Sequence, residues 1–189
     1  MTTARSFRPA IFGMTLLLIL LAATAHATIV IPVPLQKLTK DSDTIVAGVV
    51  RETRSYWDQG RIYTDVIIDT MEYIKHPDAS RPTTLIIKNL GGQIEDLRLD
   101  VDGVPQFAVG DEGVFFLHKQ DDTYTIYGLH YGLVSVTTDP QTDTQRATGA
   151  VFQNRTTLGP QGEAQVINPL PPDGEKLSDF MTRVKGLLP

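Results

Sequence analysis

The side chains best suited to chemistry in this chain gather at one predicted turn. Tyr56-Trp57-Asp58-Gln59-Gly60-Arg61-Ile62-Tyr63 holds the only tryptophan. Aromatic rings beside an arginine on an exposed loop bury a large area with few rotatable bonds, which suits a binding hot spot. Tyr56, Trp57, Arg61 and Tyr63 are therefore the expected contact residues, and Gly91 and Gly92 the expected places where backbone lies close to neighbouring chain. The competing expectation is that Trp57 folds back as a plug.

Other chemistries find weaker footing. Asp100-Val101-Asp102-Gly103 has the opening of a calcium loop, yet Pro105 and Phe107 stand where oxygen ligands are needed. His76, His118 and His130 are far apart, with no H-x-H or H-E-x-x-H spacing, so no metal or cofactor is expected. There is no G-x-S-x-G and no S-x-x-K. Asp65 and Asp69 lie about 13 Å apart along one strand face, beyond the roughly 5–9.5 Å of paired glycosidase acids. The expectation is a protein that is not an enzyme. A hydrolase, the first rival, needs His118 or His130 to meet a carboxylate in a cleft. A structural cell-surface subunit, the second, needs a large apolar patch left uncovered.

The elements that must position the turn are mostly strands. Residues 44–54 are rich in Ile and Val around Gly48, and residues 62–74 alternate, with Ile62, Thr64, Val66 and Ile68 on one face. Together they predict a long hairpin through Asp58-Gln59-Gly60. Residues 83–89, 114–119, 124–129 and 133–137 read as further short strands. Residues 93–110 read as a polar connection anchored by Val104, Phe107 and Val109, and residues 150–152 as an edge strand. Before the first strand, residues 34–43 predict a helical turn or an extended lead-in. At the other end Leu177, Phe180, Met181, Val184, Leu187 and Leu188 form one stripe of an amphipathic helix.

Location is written at the start of the chain. Arg5 and Arg8, an apolar run shorter than the ~20 residues of a membrane span, and Ala25-His26-Ala27 make a secretory leader pattern. The expected organisation is a signal peptide at 1–27, a β-barrel domain at 28–153, an extended linker at 154–172 and a helix packed on the barrel at 173–189. Localisation should be periplasmic or extracellular, and a bacterial source fits best. The formal net charge is −5 with both basic leader residues included, so the mature protein is more acidic still. An acidic surface repels phosphate backbones, and neither nucleic acid nor, after leader cleavage, membrane is an expected partner. The absence of cysteine excludes disulfides, thiolate metal sites, a cysteine nucleophile and a lipidated cysteine.

Asp43-Thr44-Ile45-Val46-Ala47-Gly48-Val49-Val50 resembles the first strand of uncharacterised bacterial exported proteins. The long second strand, Gly91-Gly92 and the run Gly103 to Glu112 leading into Phe115, Phe116 and Leu117 extend that resemblance over residues 42–136. The plan is similar to netrin-like and tissue-inhibitor-of-metalloproteinase-like domains, which implies an OB-type barrel. Those inhibitors chelate zinc through an N-terminal cysteine and are disulfide-stapled, whereas the expected mature terminus here is Thr28 and no cysteine is present. The resemblance therefore supports the fold more than the inhibition. The expected fold is all-β, an OB-like barrel of five to six strands with a C-terminal amphipathic helix, an immunoglobulin-like sandwich being the alternative. The expected function is an exported, non-catalytic protein-binding domain, inhibitor-like or accessory to a secreted partner.

Overall fold

A computed structural model describes residues 33–149, 156–158, 164–166 and 174–189. The leader expected at 1–27, the edge strand expected at 150–152 and most of the linker expected at 154–172 lie outside the described residues.

The chain is mostly β. A short helix α1 (Leu35–Asp41) leads into β1 (Thr44–Asp58), β2 (Arg61–Lys75) and β3 (Thr84–Leu90). Next come β4 (Gly92–Ile94), β5 (Leu97–Leu99), β6 (Glu112–Gln120) and β7 (Thr123–Ile126). After a single 3-10 turn follow β8 (Leu133–Asp139) and β9 (Thr144–Thr148), then β10 (Thr156–Leu158), β11 (Ala164–Val166), β12 (Glu175–Lys176) and the terminal helix α2 (Leu177–Gly186). Eight strands form one sheet in the order β1-β2-β3-β7-β6-β8-β9-β12, while β4 pairs with β5 and β10 with β11. No helix among the described residues is long and apolar enough to cross a membrane.

Pairing within the sheet is mostly antiparallel. β1 runs along β2 on one edge and along β6 on the other, and β2 continues to β3. β3 meets β7 in parallel at Ile87 and Tyr124. β6 divides its second edge, pairing residues 112–115 with β8 and residues 117–120 with β7.

That arrangement explains why β6 reads as a continuous apolar run. Phe115 and Leu117 enter one core cluster with Val46, Val50, Val66, Ile68, Leu85 and Ile87. Their neighbours Val114 and Phe116 point the other way, into a second cluster with Leu35 and Leu38 of α1 and Phe180, Met181 and Val184 of α2. A strand covered on both faces has no polar side to alternate with. The amphipathic stripe of α2 is thus half of that second core, with Leu177, Leu187 and Leu188 at its margin.

The six expected strands are all present, and β9 and β12 extend the sheet beyond them. Three local expectations need correction. Residues 93–110 hold the β4–β5 hairpin, whose three-residue strands are too short for alternation to show. Val109 is not an inward anchor: it is 67% exposed, because Val109 and Gly110 turn the chain so that the Gly110 amide reaches the Val50 carbonyl. The fifth strand stops at Ile126, since Gly128 and Leu129 both take positive φ and start the 3-10 turn.

Candidate functional site

The hairpin of β1 and β2 carries the aromatic turn on strands of 15 residues each. Only Gln59 and Gly60 separate them, both with positive φ, the conformation that a two-residue hairpin turn requires. The register places Tyr56 opposite Tyr63, Trp57 opposite Ile62, and Asp58 opposite Arg61. Opposed residues share a face and successive residues alternate. The expected contact set is therefore divided: Tyr56, Tyr63 and Arg61 project from one face of the arm, Trp57 from the other.

The tyrosine face is braced. The two rings stack with centroids 6.5 Å apart, and the Tyr56 hydroxyl donates to Asp65 Oδ1 at 2.9 Å. Partial burial and that carboxylate raise the Tyr56 phenol above its ordinary range. Lys88 of β3 lies 4.5 Å from the Tyr63 ring centroid and donates to Asp58 Oδ2 at 2.7 Å, a bond that raises its own pKa. The Arg61 side chain is exposed and has no hydrogen bond or ion pair among the described residues.

On the opposite face Trp57 is 54% exposed, although Ile62 beside it is buried. Below it the Ser55 and Thr64 hydroxyls meet at 2.9 Å, and Thr64 donates to the Gly91 carbonyl at 2.7 Å. The Gly91 amide in turn reaches the Ile62 carbonyl at 2.8 Å. A Cβ at Gly91 would lie 2.7 Å from the Leu99 carbonyl, and one at Gly92 would strike Thr64 Oγ1 and sit 2.6 Å from Ser55 Oγ. Both glycines occur where backbone passes close to the arm.

Ser55, Thr64, Gly91 and Gly92 line one side of a cleft of about 350 Å³, which Asn89, Arg98, Asp100 and Gln106 complete. Arg98 Nε donates to both Asp100 oxygens at 2.9 Å, and Gln106 bridges the pair. Arg98 holds the Asp100 carboxyl below its usual range. The carboxylate that opens the calcium-like loop is thus already engaged. Among the described residues no three His, Cys, Asp or Glu side chains gather as a metal site.

The histidines lie elsewhere. His76 bonds Thr44, and His130 Nδ1 lies 3.0 Å from the Gly103 carbonyl oxygen. His118 Nδ1 does meet a carboxylate, Asp43 Oδ2 at 3.1 Å, and the Lys119 amide donates to the same oxygen. The Lys119 amide first, and His118 after it, hold the Asp43 carboxyl low. Neither His118 nor Asp43 lines the 350 Å³ cleft or two others of 370 and 740 Å³.

Lys88, Asn89, Arg98 and Gln106 were not anticipated as site residues. Lys88 sits alone in an apolar strand, a local signal, but its partners depend on the pairing of three strands. Comparison with protein-family models and with curated proteins returns no match.

Proposed function

We propose that this chain is an exported, non-catalytic protein-binding domain that meets its partner through the β1–β2 arm. The single observation that carries the reading is the state of Trp57. More than half of a large indole is exposed at the end of a hairpin whose other face is tied down by Tyr56, Tyr63, Lys88 and Asp65. An aromatic side chain held out on a pre-ordered support loses little freedom on binding, which is the condition for a hot spot.

Behind the arm, β1, β2, β3, β7 and β6 make an OB-like barrel in this proposal. Supporting that is the chain of pairings, which passes from β1 through β2, β3, β7 and β6 back to β1, with the β3–β7 contact parallel. The likeness to netrin-like domains stays at the level of strand plan. A hydrolase has one observation in its favour, the His118–Asp43 contact, but that pair is exposed and lines none of the three clefts described above.

The test compares wild type with Trp57→Ala for recovery of a partner from the secreted fraction of the source culture. Recovery should fall about thirtyfold, the loss expected for a tryptophan anchor. Equal recovery with both proteins refutes the proposal.

A further inference from the structure

We infer that the free edge of β1, from Glu52 to Asp58, accepts an extended peptide segment of the partner as an added strand. The inference rests on the binding reading above and names the chemistry of what binds.

β6 pairs with β1 only from Thr44 to Val49. The last bonds along that edge are from the Val50 amide to the Asp111 carbonyl and from the Gly110 amide to the Val50 carbonyl, both at 2.8 Å. Beyond them β1 has β2 on one side and no backbone partner among the described residues on the other.

The turn decides which groups face outward. A two-residue hairpin makes its flanking residues, Asp58 and Arg61, a hydrogen-bonded pair, and antiparallel pairs alternate from there. Tyr56 with Tyr63 and Arg54 with Asp65 are then bonded pairs as well. Trp57, Ser55 and Thr53 fall between them, with their N–H and C=O groups turned away from β2. The same rule turns the Ile62 carbonyl away from β1, and there it accepts the Gly91 amide.

A row of such groups extends about 20 Å, and among protein elements only an extended backbone offers donors and acceptors at matching intervals. Edges are commonly guarded by proline or by free charge. Here residues 52–58 contain no proline, and the charged side chains are engaged internally, Arg54 with Glu52 and Asp58 with Lys88.

The cleft gives this edge its selectivity. Thr53 and Ser55 line it from the same face that carries Trp57. Alternate side chains of an added strand would extend over the cleft from that side. Its one lining guanidinium is already neutralised by Asp100 and bonded to Gln106. Uncharged polar side chains (Ser, Thr, Asn or Gln) match the remaining donors and acceptors.

The test pans a phage-displayed library of random peptides about nine residues long, a span that covers the edge, against the full chain. Selected peptides should carry uncharged polar residues at alternate positions and shift the Thr53, Ser55 and Trp57 amide resonances on binding. Ser55→Pro removes one outward N–H without breaking a backbone bond to β2, and should weaken binding about tenfold or more. Ser55→Ala loses the same hydroxyl contact with Thr64 but keeps that N–H, and should stay within about threefold of wild type. Recovery of no peptide, equal binding to Ser55→Pro, or amide shifts centred elsewhere overturns the inference. If Ser55→Pro does not fold, the wild-type amide shifts decide. Loss with Trp57→Ala but not with Ser55→Pro removes the added strand and leaves the binding reading intact; loss with neither removes both.

Discussion

Replacing Trp57 by alanine should separate folding from recognition. A tryptophan side chain offers about 250 Å², so the 54% that is exposed leaves roughly 135 Å² for a partner to cover. At about 25 cal/mol per Å² that area corresponds to about 3.4 kcal/mol, or about 300-fold in Kd if it is covered completely. The thirtyfold loss expected in partner recovery allows for incomplete cover. Folding should suffer less. Trp57 belongs to neither core cluster and stands opposite Ile62 beside the turn. The expected cost is about 1 kcal/mol, ordinary for a substitution outside the core. Urea denaturation followed by circular dichroism measures it, because the variant loses the chain's only tryptophan and with it the fluorescence signal. Calorimetric titration with a recovered partner gives the other quantity. A folding loss above about 3 kcal/mol with binding unchanged would make Trp57 a plug for the arm, and the proposed function would fall.

Other substitutions probe the frame around the arm. Phe116→Ala and Phe180→Ala should each cost about 3–5 kcal/mol in urea unfolding. Their effects should be non-additive because both side chains enter one cluster, whereas Phe115→Ala, on the opposite face of β6, should add independently to Phe180→Ala; equal coupling for both pairs refutes the two-faced core. Gly92→Ala puts a side chain at φ +133 against Thr64 and Ser55 and should cost about 1–3 kcal/mol, seen as a lower Tm; an unchanged Tm shows that the β4–β5 hairpin yields freely. For Asp43 the folded carboxyl is held below its ordinary range by the Lys119 amide and His118, so its contribution is present above the unfolded pKa of about 3.9 and is lost as pH falls through the lower folded value. Asp43→Asn should flatten the fall in Tm below about pH 4, and parallel curves for the two proteins refute the assignment.

Local patterning carried much of this fold. Alternation at Ile62, Thr64, Val66 and Ile68 announces a strand with one buried face, and all four side chains are buried. The spacing of Phe180, Met181 and Val184 announces the terminal helix. The site was less legible because its geometry depends on long-range register. Tyr56 and Trp57 are adjacent in sequence yet project from opposite faces, so a cluster of contact residues on paper becomes two surfaces. Lys88 reaches Asp58 only because β2 lies between β1 and β3. The cleft depends on Arg98 and Gln106, which sit in a stretch too short and too polar to show a period.

β1 changes character along its length, and that change links stability to recognition. From Thr44 to Gly48 it is buried and flanked by β2 and β6, with Ile45 and Val46 entering opposite clusters. Past Val50 the register shifts by a bulge, β6 is gone, and half-buried polar residues replace the apolar run. A bulge increases local twist and re-aims the strand beyond it. The first half, fixed by two cores, anchors the second half, and Trp57 at the tip belongs to neither core. An exposed indole and an edge with no backbone partner among the described residues are costly features for a strand that must also hold the fold together. They are tolerable here because the residues that display them are not the residues that stabilise the sheet.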